Sequence, residues 1–227
     1  MNIYKFISAI ALFIFSIVML NTISQYTTFE KNIGFLQFKQ DVVHNKYWLL
    51  FFYIHIFSII FCLLAGLTQF SNHFLTENHK LHKIIGKIYV YNILIINFPA
   101  CFVLALFSNG GIIGITGFLL QNFLWVYFTT LAVIYIKKGN IDKHRIFMIL
   151  SYSITTTAIT FRIIKNLVYQ ENIFSYHLFY GMNVWISLFI NLSIAYIIIV
   201  KNKSITLSSN SNSINKNKKS NRHQNYQ

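Results

Sequence analysis

Six stretches of this chain, at 4–23, 47–69, 85–107, 112–136, 145–168 and 178–200, are almost unbroken runs of apolar residues. A bilayer core about 30 Å thick takes about 20 such residues per helical crossing. Within lipid a spanning segment must satisfy its own backbone polar groups, which helices of this length do. The expectation is an all-α, polytopic transmembrane bundle of six spans. Charge supports it: Asp, Glu, Lys and Arg make up 11% of the residues, against about 25% in soluble domains.

The same reading divides the chain. Residues 1–46 hold the first transmembrane helix and an outer segment, residues 47–200 a five-helix transmembrane bundle, and residues 201–227 a basic tail. That tail is rich in Ser, Asn and Lys, has no acidic residue and keeps one aromatic, Tyr226. Too little apolar surface is available there to offset chain entropy, so it is expected to be disordered. The opening MNIYK before FISAIALFIFSIVML has the look of a secretory leader. No small-x-small cleavage site follows it, and a retained helix is expected.

Orientation comes from the basic residues, which favour cytoplasmic loops. With the N-terminus inside, Lys5, Lys80, Lys83, Lys87, Lys137, Lys138, Lys143, Arg145 and six tail residues are cytoplasmic, whereas Lys31, Lys39, Lys46 and Lys165 lie outside. Fourteen against four places both termini in the cytoplasm. The run KKGNIDKHR at 137–145 is thus a loop that pins two helices by its charge. The net charge of +14 suits the anionic lipid head groups of an inner (plasma) membrane, each Lys or Arg near the surface contributing about 1 kcal/mol. Nucleic acid is not expected as a partner, because no aromatic platforms interleave with the charge.

Ionisable residues inside a span are costly and mark function. His55 and Arg162 are two such residues, and each lies about 10 Å below the outer surface at helical rise. The five acidic residues, Glu30, Asp41, Glu77, Asp142 and Glu171, all fall between spans. Carboxylate proton relays are thereby disfavoured, and Arg162 needs a counter-charge: Glu171, helix carbonyls, lipid phosphate or an anionic ligand.

Helical phase sorts the polar residues into stripes. His144, Met148, Ser151, Thr155, Ala158 and Arg162 share one face of the fifth helix, and His55, Ser58, Cys62, Gly66, Gln69 and His73 one face of the second. The third offers His82, Gly86, Tyr89, Ile93 and Asn97. These faces are expected to look at one another around a weakly polar interior. Pro99 should kink the third helix, and Gly111, Gly114 and Gly117 should let the fourth pack closely. Cys62 and Cys101 sit at depths about 12 Å apart and are not expected to form a disulfide.

Histidines cluster on the inner side. His79, His82 and His144 open helices at one membrane level, and three readings follow. His82 with His144, flanked by Lys83 and Arg145, matches bis-histidine ligation of haem b. His79, His82 and His144 together are a candidate metal set for zinc, which would suit a metal-dependent membrane hydrolase. Alternatively the rings cap helices and meet head groups, in a non-enzymatic assembly or small-solute-binding module. His55 and Arg162 are the candidate outer site.

HKLHKIIGKIYV at 79–90 and KKGNIDKHRIFMILSYSITTTAITFRI at 137–163 resemble the bacterial predicted membrane protein family known as domain of unknown function 2306. The resemblance spans about residues 47–170. The positions that carry it are His82-Lys83, Gly86, Tyr89, Gly139-Asn140, His144-Arg145, Met148, Arg162 and His55. The family pattern has Arg where this chain has Lys83 and Lys87, and tends to Arg where it has Leu150. An integral membrane protein is what the likeness implies, with no activity attached. A more distant similarity is to four-helix haem-binding membrane cytochromes.

Overall fold

The computed structural model describes residues 3–69, 77–168 and 175–224. Six long helices account for most of them: α1 (Ile3–Ser24), α2 (Lys46–Gln69), α3 (His79–Leu106), α4 (Gly111–Lys137), α5 (Ile141–Val168) and α6 (Tyr176–Gln224). No strand occurs among the described residues. Among the described residues five stretches are long and apolar enough to cross a membrane: Lys46–Gly66, His79–Leu106, Gly111–Lys137, Ile141–Val168 and Tyr176–Asn202. Two helices begin earlier than their apolar runs. α3 starts at His79 and α5 at Ile141, which brings Asp142 into the first turn of α5, where a carboxylate favours the helix dipole.

α4, α5 and α6 pack on one another, α2 pairs with α3, α3 leads on to α4, and α1 leans on α2. Close approach of α4 and α6 depends on small residues. A Cβ on Gly117 would lie 2.4 Å from Val184, and one on Gly181 would lie 3.0 Å from the Gly110 carbonyl. Gly111 differs from expectation: nothing lies within 4 Å of it, and with φ +58° it serves the turn into α4 rather than the packing.

α3 is not a uniform helix. Asn92–Asn97 forms a π-helical turn between His79–Tyr91 and Phe98–Leu106, closed by the Phe98 N–H to the Ile93 carbonyl. Pro99 lacks an N–H and its ring would crowd the carbonyl four residues back. The widened turn just before it relieves that crowding, and such turns commonly sit at functional sites.

Between α1 and α2 the chain is ordered, with 3₁₀ turns at Gln25–Thr28 and Gly34–Lys39. Tyr26, Leu36 and Val43 bury themselves against Trp48 and Phe52 at the start of α2. Lys39 Nζ donates to the Phe107 carbonyl just past the end of α3, which ties this segment across the bundle. The segment therefore covers the end of the bundle at which α2 begins.

α6 continues as helical backbone to Gln224, although disorder is expected from residue 201. Neither Gly nor Pro occurs in 201–224 to stop the helix.

Candidate functional site

The three polar stripes face one another. Tyr89 Oη from α3 lies 2.9 Å from Ser151 Oγ and 3.0 Å from Thr155 Oγ1 on α5. Trp125 Nε1 on α4 donates to the same Thr155 hydroxyl at 3.0 Å, and Thr129 Oγ1 meets Ser151 Oγ at 2.7 Å. All five residues are buried. This hydroxyl layer satisfies each polar group inside an apolar medium, where an unpaired one is costly.

A second network joins α2 to the π-helical turn of α3. Asn97 Nδ2 donates to Ser58 Oγ at 3.0 Å and to Asn92 Oδ1, and Asn92 Nδ2 donates to the Ser58 carbonyl at 2.8 Å. Those bonds fix which way the Asn97 amide points, so its Oδ1 accepts from His55 Nδ1–H at 2.8 Å. Cys101 Sγ lies 3.2 Å from the same nitrogen. With the proton on Nδ1, the neutral His55 ring keeps its lone pair on Nε2.

Above these layers, toward the end where α2 begins, the helices line a partly open cavity of about 720 Å³. His55 and Arg162 both line it, so the structure brings the expected outer pair to one space. Arg162 also lies within electrostatic reach of His55, Tyr26 and Tyr180. Its Nη1 donates to the Ala158 carbonyl of its own helix at 3.0 Å, and it forms no ion pair among the described residues. Glu171, an expected counter-charge, lies outside the described residues, as does His73. The cavity wall is apolar along Ile59, Leu63, Ile154 and Ile159, and among the described residues it contains no Asp or Glu. Among the described residues, four in the wall carry occluded polar atoms with no hydrogen-bond partner: Trp48 Nε1, Ser108 Oγ, Gln121 Oε1 and Asn122 Oδ1.

The segment between α1 and α2, the lid of the cavity, contributes the one titration that burial alters among the described residues outside the spans. Lys39 is buried, and desolvation pulls its ammonium below the ordinary lysine value of 10.5, with Asp41 opposing the shift.

The inner histidines do not assemble as expected. Among the described residues no group of three or more His, Cys, Asp or Glu is arranged to hold a metal ion, so the zinc set of His79, His82 and His144 finds no support. The rings of His79 and His82 stack in parallel, 6.3 Å apart at 12°, instead of converging. His144 turns to α4, where its Nδ1 donates to the Ala132 carbonyl at 2.9 Å.

Haem between His82 and His144 finds no support either. Neither residue lines the cavity, and near that level the helices close on one another. Tyr152 Oη donates to the Leu63 carbonyl at 2.8 Å, Gln69 Nε2 donates to the His82 carbonyl at 3.2 Å, and Gly66 lies against the Tyr152 ring. His82 Nδ1 is buried without a partner among the described residues. Cys62 and Cys101 are free thiols, as their depths lead one to expect.

Sequence reasoning missed three features. Asn92 and Asn97, five residues apart and just ahead of Pro99, are the signal for the π-helical turn. Gln121 and Asn122 were lost in the apolar run of α4. Asn183, Ser187 and Asn191, at steps of four on α6, form a further stripe: Asn191 Nδ2 donates to Thr160 Oγ1 at 2.7 Å and Asn183 Nδ2 to the Phe161 carbonyl at 2.9 Å.

Helices long and apolar enough to cross a membrane, joined through buried polar layers, define a helical membrane protein. The chain belongs to the family described as predicted membrane protein (DUF2306), whose sequence profile matches residues 52–199. The match runs from the first turns of α2 into α6, taking in the sixth helix, which the visible resemblance left out. No curated protein and no solved structure matches the chain.

Proposed function

We propose that this protein is a membrane-embedded binding module for a small amphipathic molecule, held in the cavity that contains His55 and Arg162. One observation carries the reading: both intramembrane ionisable side chains line a single space of about 720 Å³. Ligand pockets run from about 300 to 1,000 Å³, with mostly apolar walls and a few placed polar groups. The wall here has that character, with a histidine acceptor and a guanidinium among isoleucines and leucines.

α1 serves as the first of six spans, and both termini lie in the cytoplasm of a bacterial cell. The excess of basic residues at the inner loops supports this, and it turns the cavity toward the outer face of the plasma membrane. The inner histidines then meet anionic head groups.

Native mass spectrometry of the full chain released from nanodiscs tests the binding reading. A bound small molecule should accompany the protein and disappear in Ala158→Phe, which fills the cavity. Retention of the same mass by a folded Ala158→Phe protein would place the binding elsewhere. Green fluorescent protein fused after Gln227 should fluoresce, and a dark but expressed fusion would reverse the orientation.

A further inference from the structure

Among the described residues three cations line the cavity, and they are not equivalent. Lys39 gives its ammonium to the Phe107 carbonyl. Lys165 Nζ lies 5.7 Å and 5.9 Å from the ring centroids of Phe38 and Tyr176, engaged by their faces. Arg162 differs. Its guanidinium has five N–H donors in a planar fork, and among the described residues one bond is made, to a carbonyl of its own helix. A charged group inside a membrane protein pairs, or opens to a cavity that supplies its partner.

From this we infer that the cavity takes an acidic amphiphile: a single hydrocarbon chain along the apolar wall, with a carboxylate or phosphate head group on Arg162. The inference rests on the binding-module reading above and adds the sign of the ligand's charge. Three observations agree with it. Among the described residues no carboxylate side chain lines the wall to compete for Arg162. The fork geometry of a guanidinium suits two-oxygen acceptors better than an ammonium does. The apolar residues Ile59, Leu63, Ile154 and Ile159 extend from the polar end toward the closed inner half, where Tyr152 meets Leu63. His55 Nε2, an acceptor, favours a head group that also carries a hydroxyl.

Two tryptophans of the cavity wall, Trp48 and Trp125, report on occupancy. The full chain in zwitterionic nanodiscs is titrated with terminally brominated dodecanoic acid, which quenches indole fluorescence. Brominated dodecanol and brominated dodecylamine are the matched neutral and cationic probes. The acid should quench saturably and bind roughly ten- to a hundredfold more tightly than the alcohol, the range of a charge-assisted hydrogen bond. The amine should bind least. Arg162→Lys should keep a preference for the acid and Arg162→Gln should lose it, with Ala158→Phe removing the saturable component for every probe. Competition by unlabelled dodecanoate against dodecyl phosphate distinguishes a carboxylate head from a phosphate one.

Equal affinity for acid and alcohol, or an acid preference that survives Arg162→Gln, would overturn the charge assignment while leaving the module reading in place. Absence of saturable quenching by all three probes would overturn both. If Arg162→Gln does not fold, the acid-to-alcohol ratio of the unaltered chain and of Arg162→Lys still decides the matter.

Discussion

The two ends of the bundle, named outer where α2 begins and inner where it ends, are built from the same helices and carry similar numbers of histidines, yet they differ in whether space remains between those helices. On the inner half α2 and α5 touch: a Cβ on Gly66 would lie 1.9 Å from the Tyr152 ring, whose hydroxyl reaches the Leu63 carbonyl. On the outer half the same two helices both contribute residues to the wall of the cavity. A histidine therefore means different things at the two ends. His144 bonds a backbone carbonyl of α4, whereas His55, oriented by Asn97, keeps a free nitrogen on a residue that faces open volume. Clustering of ionisable residues in sequence marks candidates, and packing decides which of them can meet a ligand.

The sharpest way to break this contrast is to add bulk to each half in turn. Gly66→Leu drives a side chain into the Tyr152 ring and should destabilise by about 3 kcal/mol, the upper end for overpacking. Ala158→Leu, which adds bulk toward the cavity, should cost less than about 1 kcal/mol because open volume receives it. Denaturant unfolding in a mild detergent measures both. Equal losses would mean that the outer half is as closely packed as the inner.

Next in size is the hydroxyl layer that separates the halves. Tyr89→Phe removes the group shared by Ser151 and Thr155, which keep their bonds to Thr129 and Trp125. A loss of about 1–2 kcal/mol is expected, read in the same unfolding assay. Asn97→Ala should cost about 1 kcal/mol. It should also release His55, and nitrogen NMR of the imidazole would then show the two tautomers mixing where one dominates in the unaltered chain.

Much of this architecture was legible beforehand, for an identifiable reason. Apolar length and helical period are local properties, so helix positions and the inward stripes of α2, α3 and α5 follow from spacing alone. Ser151, Tyr89 and Asn97 are fully or nearly fully buried, as their phase requires. Local periodicity says nothing about the distance between helices. The cavity depends on that distance, and so does the failure of the inner histidines to converge. The π-helical turn was hidden for another reason: it changes the period itself, and a 3.6-residue count across Asn92–Asn97 misplaces one of the two asparagines. The lid over the cavity carries no periodicity, and its order comes from Tyr26, Leu36 and Val43 meeting aromatic residues of α2.

A smaller effect sharpens the role of that lid. Lys39 is buried at the outer end, and its pKa in the folded protein lies below the 10.5 of an exposed lysine. Between those two values the unfolded chain binds more protons than the folded one, so stability rises with pH across that window and is lower on its acid side. Lys39→Met removes the titrating group and should flatten this alkaline rise. Unfolding midpoints collected from neutral pH to about 10.5 for both proteins provide the check, and an unchanged slope would mean that the ammonium is solvated.

The smallest expected effect belongs to the inner end. His79 is exposed, with its ring stacked on His82, and no metal set forms around it among the described residues. His79→Gln should therefore change stability by no more than about 0.5 kcal/mol, the usual range for a surface position, and should leave binding in the outer cavity unaltered. His144→Gln should cost about 1 kcal/mol, because it removes the bond to the Ala132 carbonyl that ties the start of α5 to α4. The order of these two variants is the informative quantity. If His79 proved the more sensitive, or if added zinc raised the unfolding midpoint of the unaltered chain and not of His79→Gln, the inner rings would have to converge on a ligand after all. The contrast between a closed inner half and an open outer half would then lose its basis.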